Sequence, residues 1–266
     1  MRYIVSFSGG KDSTAMLLRL LEEGRPVDDV VFFDTGWEFP EMLKHIDLVE
    51  RRIGREITRI RPEKSFNYMV AEHEFTSRKG ERRCGYGWPA ATRRWCTKIK
   101  THALDKYAKD AHVYIGIAAD EVRRLKPKKN ASYPVAEMGM TEADCLAYCY
   151  QKGYDWDGLY QSHFRVSCYC CPLQRIGELR ALYKNHPDLW TRMLRLDRAI
   201  SATSWRGFRG TKTVHDLNAR FAKEAVLSAK KAEPLCWQAE RLTEQAKTGV
   251  LASDYNTGGS HNGKTL

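Results

Sequence analysis

The sequence has no long hydrophobic run: no apolar stretch in its 266 residues approaches the ~18 that a helix needs to cross a bilayer. Its first residues also lack the charged segment and following apolar segment of a secretory signal. We therefore expect a soluble, cytoplasmic protein with no membrane partner. In that compartment cysteines stay reduced, so the eight cysteines are better candidates for metal ligands or reactive thiols than for disulfides.

Acidic residues are the minority among the charged ones. Asp and Glu number 33 against 44 Lys and Arg, which gives a formal net charge of +11. This balance favours polyanions and nucleotides over cationic molecules as partners. No internal repeat is present, and a chain of this length can bury a large core as one domain or as a domain with an extension.

Apolar runs alternate with helical patterns in the first half of the chain. Short runs of buried type predict four strands, at 3–7, 30–33, 57–60 and 112–117. Apolar periodicity predicts helices at 12–23 and 39–53, the second with Leu43, Ile46, Val49 and Ile53 on its buried stripe. This order predicts an α/β fold: a doubly wound, mostly parallel sheet with its ligand crevice at the carboxyl ends of the strands.

The rest of the chain departs from this alternation. Residues 74–100 are interpreted as a long basic loop over the active face, with Arg78, Arg82, Arg83, Arg93 and Arg94. Helices are predicted at 141–152 and, around Pro187, at 177–202. We predict a nucleotide-binding α/β domain at 1–140, a largely helical, cysteine-rich extension packed on it at 141–250, and a disordered tail at 251–266.

The segment Ser8-Gly9-Gly10-Lys11-Asp12-Ser13 lies between the first predicted strand and the first predicted helix. It matches neither the Walker loop nor the G-x-G-x-x-G pattern. Glycines at such a turn let backbone N–H groups converge on an anion at the helix amino end, where Lys11 can reach phosphate and the serine hydroxyls can donate hydrogen bonds. The segment therefore predicts a phosphate-binding loop. Asp34, at the end of the second strand, is either a strand-end cap or a carboxylate near the ligand.

Four segments resemble those of one family, the phosphoadenosine phosphosulfate (PAPS) reductase family of the ATP pyrophosphatase superfamily. They are residues 8–13, the D-T-G-W-E-F-P-E run at 34–41, the R-W-C-T-K-I-K run at 94–100, and the loop at 116–121. The resemblance covers most of residues 1–172. It implies that the first segment holds the β and γ phosphates of ATP, or the phosphates of an adenylyl substrate, with Lys11 and Asp12 acting there. It also implies that Asp34 lies near the nucleotide and helps to hold Mg²⁺, and that Gly116 lies on the substrate side.

The chain also departs from that family. PAPS reductases proper carry a C-terminal Glu-Cys-Gly-Leu-His segment, and no cysteine follows Cys236 here. The Gly116-Ile117-Ala118 run lacks the arginine that the family often has two residues after the glycine. Arg123 and Arg124 follow this loop, where they either clamp a phosphate or sulfate or belong to a solvated basic face.

The cysteines supply a second chemistry. Three of them fall within Cys168-Tyr169-Cys170-Cys171, and Cys96 lies in the third family-like segment. Thiolates at this spacing can coordinate one metal centre. By resemblance to cluster-containing adenylyl sulfate reductases and nucleic-acid sulfurtransferases, Cys96, Cys168 and Cys171 would hold a 4Fe-4S cluster, with Cys170 or Cys84 as fourth ligand or with an open iron. Structural zinc, or reduced thiols packed under the loop, are the alternatives.

Other candidates have simpler interpretations. Cys145, Cys149 and Cys236 are predicted to be buried core residues. His163 is predicted to be structural, with an outer position near a metal as the alternative. The aromatic residues that either stack on a base or build a small core are Trp156, Tyr160, Phe164 and Tyr169.

Together these features predict an ATP-dependent adenylating enzyme. ATP would bind on the loop at 8–13, an oxygen of the second substrate would attack the α-phosphorus, and a sulfur nucleophile held at the cluster would displace AMP. The acceptor would be a nucleic acid or nucleotide, with a sulfur donor or partner subunit also involved. The alternatives are an adenylyl sulfate (APS or PAPS) reductase and a nucleotide-binding subunit with structural zinc.

Overall fold

The computed structural model describes residues 1–77, 79–201 and 207–229. The chain divides into two compact units, Met1–Asp216 and Leu217–Leu266. Arg78, Cys236 and the tail predicted to be disordered at 251–266 lie outside the described residues. The division predicted at residues 140 and 250 stays a prediction.

The helices and strands alternate through the first unit. In chain order they are β1 (Arg2–Phe7), α1 (Lys11–Glu22), β2 (Asp29–Phe33), α2 (Pro40–Ile53), β3 (Ile57–Ile60), α3 (Phe66–Ala71), β4 (Glu74–Thr76), β5 (Arg82–Cys84), α4 (Trp95–Tyr107), β6 (Ala111–Ile115), β7 (Ala131–Ser132), α5 (Pro134–Glu137), α6 (Glu142–Gln151), α7 (Ile176–Asn185) and α8 (Pro187–Ser201). Short 3-10 segments cover Val122–Arg124 and Trp156–Gln161. A further helix, α9, is described over 214–229.

Five strands form a parallel sheet in the order β3-β2-β1-β6-β7. Four consecutive residues of β2, at 30–33, are buried, and because neighbouring side chains point to opposite faces, both faces of the sheet are covered. On one face Leu104 and Tyr107 of α4 pack against Ile4 and Val31. The predicted α/β fold with a mostly parallel sheet and a helical C-terminal part is confirmed.

The buried stripe of α2 differs from the predicted one. Leu43 is 40% exposed, whereas Met42, His45, Ile46 and Val49 are buried. The stripe is rotated because Met42 and Ile46 pack beneath the turn at residue 9, where a Cβ would meet the Met42 sulfur at 2.5 Å. The prediction that Leu43 lies on the buried stripe was wrong, and Met42 lies there instead.

The segment at 74–100 is more ordered than the predicted long loop. Strands β4 and β5 pair as an antiparallel hairpin, and α4 begins at Trp95. Aromatic contacts hold this segment: Phe75 lies 4.8 Å from Tyr86, and Trp95 lies 5.2 Å from Phe66, between ring centroids. Burial of these rings, rather than the surrounding charge, decides the local structure.

The helical part after residue 140 follows local signals. Thr141 caps α6 in a capping box with Asp144, and Pro187 opens α8 directly after α7 ends. The indole of Trp88 donates a hydrogen bond of 2.7 Å to the buried Asp197 of α8. Within the described residues, no helix has both the length and the apolar composition required to cross a membrane.

Candidate active site

Three candidate segments follow three adjacent strands. Ser8 follows β1, Asp34 follows β2 and Gly116 follows β6, and β1 lies between the other two strands. Because parallel strands end at the same sheet edge, these segments lie side by side. The sheet order reverses direction at the β1–β6 pair, which is the position where open α/β sheets form a ligand crevice.

The segment Ser8–Ser13, which we call the phosphate loop, makes a tight turn into α1. Gly9 has φ +77°, and a Cβ there would also strike Met42, so both the backbone and the space require glycine. The Ser8 N–H donates to the Ser13 hydroxyl over 3.1 Å, and that hydroxyl donates to the Gly10 carbonyl over 3.0 Å. The two serines therefore close the turn, while Gly10 forms the N-cap of α1.

Gly116 presses directly on this loop. A Cβ on Gly116 would lie 2.8 Å from the Cα of Ser13 and 2.9 Å from its nitrogen, both backbone atoms. The predicted substrate-side glycine thus sets how closely the end of β6 approaches the first turn of α1.

Lys11 points to acidic side chains rather than into a cavity. Its ammonium lies 2.9 Å from Glu142 and 3.2 Å from Asp12, and the lysine side chain is only 6% exposed. The Lys11 N–H donates to the Tyr160 hydroxyl over 2.8 Å. One oxygen from each of Asp12, Glu121 and Glu142 lies within 4.8 Å of the others. Burial raises the pKa of Asp12, although Lys11 opposes this shift.

Asp34 is a paired carboxylate at the end of β2. It accepts hydrogen bonds from the Gly36 N–H at 2.9 Å and from Arg61 Nε at 2.8 Å, so it caps the turn and also carries an ion pair. Four residues along, Glu38 accepts from the Thr35 hydroxyl at 2.7 Å. Burial raises the pKa of Glu38, and the neighbouring Asp34 charge acts in the same direction.

One cavity of about 210 Å³ joins the start of the phosphate loop to the cysteines. Its walls include Ser8, Thr35, Glu38, Arg94, Cys96, Lys100, Cys168, Cys170 and Cys171. We call it the cysteine cavity, and residues 168–171 the cysteine segment. The four cysteines that the sequence predicts as metal ligands, Cys96, Cys168, Cys170 and Cys171, therefore line one cavity together with the first residue of the phosphate loop.

Backbone contacts fix the cysteine segment against the turn after β2. Glu38 and Cys168 form an isolated antiparallel bridge, and the Tyr169 N–H donates to the Trp37 carbonyl over 2.8 Å. The Cys168 sulfur lies 3.8 Å from the Thr35 hydroxyl. The Gln174 amide donates to the carbonyls of residues 168 and 169, which closes the turn of the segment.

Of the four thiols that line the cavity, Cys170 is buried, whereas Cys96, Cys168 and Cys171 are half-buried. Burial raises the pKa of Cys168 to about 12 and raises that of Cys170 well above its usual value. Burial likewise raises the pKa of Cys96 and Cys171. A soft metal centre that displaces these protons fits this donor set.

The arrangement of the thiols bears on how they could hold a metal. Among the described residues, no three cysteine sulfurs lie within 4.8 Å of one another. Thiolate donors suit both zinc and iron–sulfur clusters, so either metal fits this donor set. Cys84 lies in β5, where its thiol donates to the carbonyls of residues 71 and 72, and it does not line the cavity.

The arginine candidates lie in different places. Arg94 lines the cysteine cavity. Arg82 and Arg83 pair with Glu74 and Glu81 on the exposed hairpin, and Arg93 contacts the Trp88 carbonyl. Arg123 is exposed, and Arg124 is half-exposed and paired with Glu121. The structure therefore brings one of these basic residues into the cavity.

Several aromatic candidates support the loop. The Trp156 indole donates to the Gly9 carbonyl over 2.8 Å, next to the Tyr160 contact with Lys11. Tyr169 and His163 pack edge-on against Phe39, with His163 almost fully buried, and the Ser162 hydroxyl lies 2.9 Å from the His163 ring. Phe164 is 48% exposed, and the Lys11 ammonium lies 5.8 Å from its ring.

Sequence reasoning did not identify Glu142, Arg165 or Lys100 as site residues. Arg165 pairs with Glu121 and lies 3.9 Å from Glu142. Lys100 lines the cysteine cavity, where its charge opposes the rise in the pKa of Cys168 that burial causes. Lys100 is the last residue of the R-W-C-T-K-I-K run at 94–100, which resembles a family segment, whereas no local signal marked the other two.

Comparisons with known proteins locate the chain among its relatives. A family model described as phosphoadenosine phosphosulfate reductase domain matches residues 2–174. Uncharacterized protein MJ0066 of Methanocaldococcus jannaschii is 31% identical, with 70% of this chain and 39% of that protein covered. The uncharacterized nin region protein ORF290 of Escherichia phage lambda is 30% identical, with 57% and 60% covered. The matched part of this chain thus spans about two fifths of the length of the first relative and three fifths of the length of the second.

Among solved structures, U34-tRNA thiolase NcsA from Methanococcus maripaludis, with its 4Fe-4S cluster, is 15% identical with a TM-score of 0.41. The match covers 83% of this chain and 80% of the NcsA chain. A predicted subunit of tRNA methyltransferase from Methanocaldococcus jannaschii is also 15% identical, with a TM-score of 0.32, and covers 59% and 90%.

Proposed function

The chain belongs to the phosphoadenosine phosphosulfate reductase domain family, and we propose that it is an ATP-pyrophosphatase-type sulfurtransferase. It binds ATP or an adenylyl compound on the phosphate loop and transfers sulfur to a nucleic acid or nucleotide through an adenylated intermediate. The family is one of nucleotide-binding, generally enzymatic domains, and the specific reaction is our inference.

One observation carries this proposal: Ser8 and four cysteines line the same cavity. A phosphate bound at the loop and a sulfur held by the cysteines would therefore face each other without a domain movement. A metal that only stabilised the fold would not require its cysteines to line a cavity shared with the phosphate loop.

The first half-reaction depends on the loop. An oxygen of the acceptor attacks the α-phosphorus, and pyrophosphate leaves toward the loop N–H groups and the amino end of α1, which stabilise the growing negative charge. Lys11 contributes its charge once a phosphate oxygen replaces Glu142 at its ammonium, 2.9 Å away in the structure. Asp34 lies at the neighbouring strand end, where it can help to hold Mg²⁺.

The second half-reaction depends on the cysteine cavity. Cys96, Cys168 and Cys171 would hold an iron–sulfur cluster, with Cys170 as the fourth thiol that lines the cavity. When bound, such a cluster supplies iron that can carry the sulfur to be transferred. The soft thiolate donors fit such a cluster, and structural zinc is the alternative. On the cavity wall, the Thr35 hydroxyl and the Lys100 charge make the surroundings of the Cys168 sulfur polar.

Two variants separate the two halves. Lys11→Ala should abolish ATP-dependent pyrophosphate release and leave iron and acid-labile sulfide content intact in protein purified without oxygen. Cys168→Ser should lose the cluster and retain ATP binding. The matched controls are Lys44→Ala, an exposed lysine paired with Asp157, and Cys145→Ser, a buried cysteine away from the cavity.

The outcomes discriminate the candidate functions. Loss of iron in Lys11→Ala, or sulfur transfer retained in Cys168→Ser, would contradict the two-site mechanism. Stoichiometric zinc without colour would identify a nucleotide-binding subunit with a structural metal. Thioredoxin-dependent release of sulfite would identify an adenylyl sulfate reductase instead.

A further inference from the structure

A second and larger cavity, of about 890 Å³, lies beside α4. On one side, Lys98, His102 and Lys106 recur every four residues, so they share one face of the helix, and all three are exposed. Arg61 and Lys64, from the connection between β3 and α3, line it as well. We call this cavity the α4 groove.

The groove carries a net positive charge. Four Lys and Arg side chains line it against one carboxylate, Glu63. Among the described residues, no ion pair joins Lys64, Lys98 or Lys106 to a carboxylate. The Lys64 ammonium lies 3.5 Å from the Tyr68 hydroxyl and 4.8 Å from the centroid of its ring. Such uncompensated cations along a concave surface attract a polyanion.

The length of the cation row exceeds one phosphate. Eight residues separate Lys98 from Lys106, which corresponds to about 12 Å along the helix axis at ~1.5 Å per residue. A single phosphate group contacts only one end of such a row. A chain of phosphates contacts the whole of it.

The floor of the groove is apolar. Ile99, Ala103 and Tyr107 occupy the next helical positions and are half-buried, with Met69 opposite. Unpaired bases present flat apolar faces that pack on such a surface, whereas a duplex keeps its bases stacked inside. The combination of a cation row and an apolar strip therefore fits a single strand.

The groove also reaches the candidate active site. Arg61 lines the groove and lies 2.8 Å from Asp34 at the end of β2. On the same helix as the cation row, Cys96 and Lys100 line the cysteine cavity. A strand bound along α4 is thereby led toward the nucleotide and cysteine sites.

We propose that the α4 groove binds the backbone of a single-stranded nucleic acid, so that the acceptor is a polynucleotide rather than a free nucleotide. This inference rests on the proposed function, because it identifies the substrate class of the same site.

The test is binding of a fluorescent single-stranded 12-nucleotide oligomer, in RNA and DNA form, followed by anisotropy at several salt concentrations without ATP. The double variant Lys98→Gln with Lys106→Gln removes two phosphate contacts. It should weaken binding about 25-fold at 0.1 M salt and lower the slope of log K against log salt by about 1.4. The matched control, Lys44→Gln with Lys184→Gln, removes two exposed lysine charges from α2 and α7 and should bind as the unmodified chain does.

Equal affinity of the two double variants would overturn the inference. The inference would also be overturned if polyglutamate of the same charge displaced the fluorescent oligomer as strongly as the unlabelled oligomer does. That result would identify an acidic protein as the occupant of the groove. Sulfur transfer to a free nucleotide at a rate that the Lys98 and Lys106 substitutions leave unchanged would overturn it and leave the proposed function standing. Oligomer binding in the groove without ATP-dependent pyrophosphate release would contradict the proposed function alone.

Discussion

The substitution Gly116→Ala tests whether the end of β6 positions the phosphate loop. The added methyl would lie 2.8 Å from the Ser13 Cα and 2.9 Å from its nitrogen, against 3.4 Å for an ordinary contact. Both atoms belong to the backbone of the first turn of α1, so no side chain can rotate away. The strand end and the helix must separate by about half an ångström to relieve this overlap.

The expected cost follows from that displacement. Overpacking a well-packed site by a methyl group destabilises a protein by about 1–3 kcal/mol. The same movement shifts the N–H groups that we propose to bind phosphate, so ATP affinity should fall at least tenfold. We therefore expect a smaller free energy of unfolding and weaker ATP binding together.

The measurements are urea denaturation and calorimetric titration with ATP. Gly177→Ala is the matched control, since a Cβ there meets nothing within 4 Å and the residue lies in the first turn of α7. It should leave ATP affinity unchanged and stabilise the protein by up to about 1 kcal/mol. If Gly116→Ala matched wild type in both stability and affinity, the packing role assigned to Gly116 would be wrong.

Two further substitutions address buried side chains. Burial lowers the pKa of His45 to about 3, below its ordinary value of 6.5, so the unfolded state binds the proton first and stability is lost as pH falls below 6.5. Between pH 7 and pH 5 the free energy of unfolding should therefore fall by about 2 kcal/mol. Urea titrations at these two pH values should show a smaller fall in His45→Gln than in the unmodified protein. Equal falls in the two proteins would contradict the role assigned to His45. Cys145→Ser should lower stability by about 1–3 kcal/mol, because it buries a hydroxyl, and leave the iron content unchanged; loss of iron would make Cys145 more than a core residue.

The fold was predictable because its signals are local. Apolar runs located β1, β2, β3 and β6 to within one or two residues, and the Thr141 cap located the start of α6. Leu43 was misplaced because apolar residues at both 42 and 43 allow either to belong to the stripe, and only the packing around Gly9 selects Met42. Charge suggested a loop at 74–100, but aromatic packing produced a hairpin there.

The candidate site was predictable only in part. The phosphate loop and the cysteine segment carry short motifs, and their residues line one cavity. The partners of Lys11 carry no such signal: Glu142 and Tyr160 are 131 and 149 residues away in the chain. Contacts at that separation depend on the tertiary fold, and no spacing rule within the sequence reveals them.

The phosphate loop is completed by residues far beyond the sheet. Trp156 donates to the Gly9 carbonyl, Tyr160 accepts from the Lys11 N–H, and Cys149 donates to the Lys11 carbonyl. A fragment that ended at residue 140 would keep the loop sequence and lose all three partners. Recombination that joined the first 140 residues to an unrelated C-terminal half would therefore transmit the motif without its shape, so the loop and the helical extension must be inherited together.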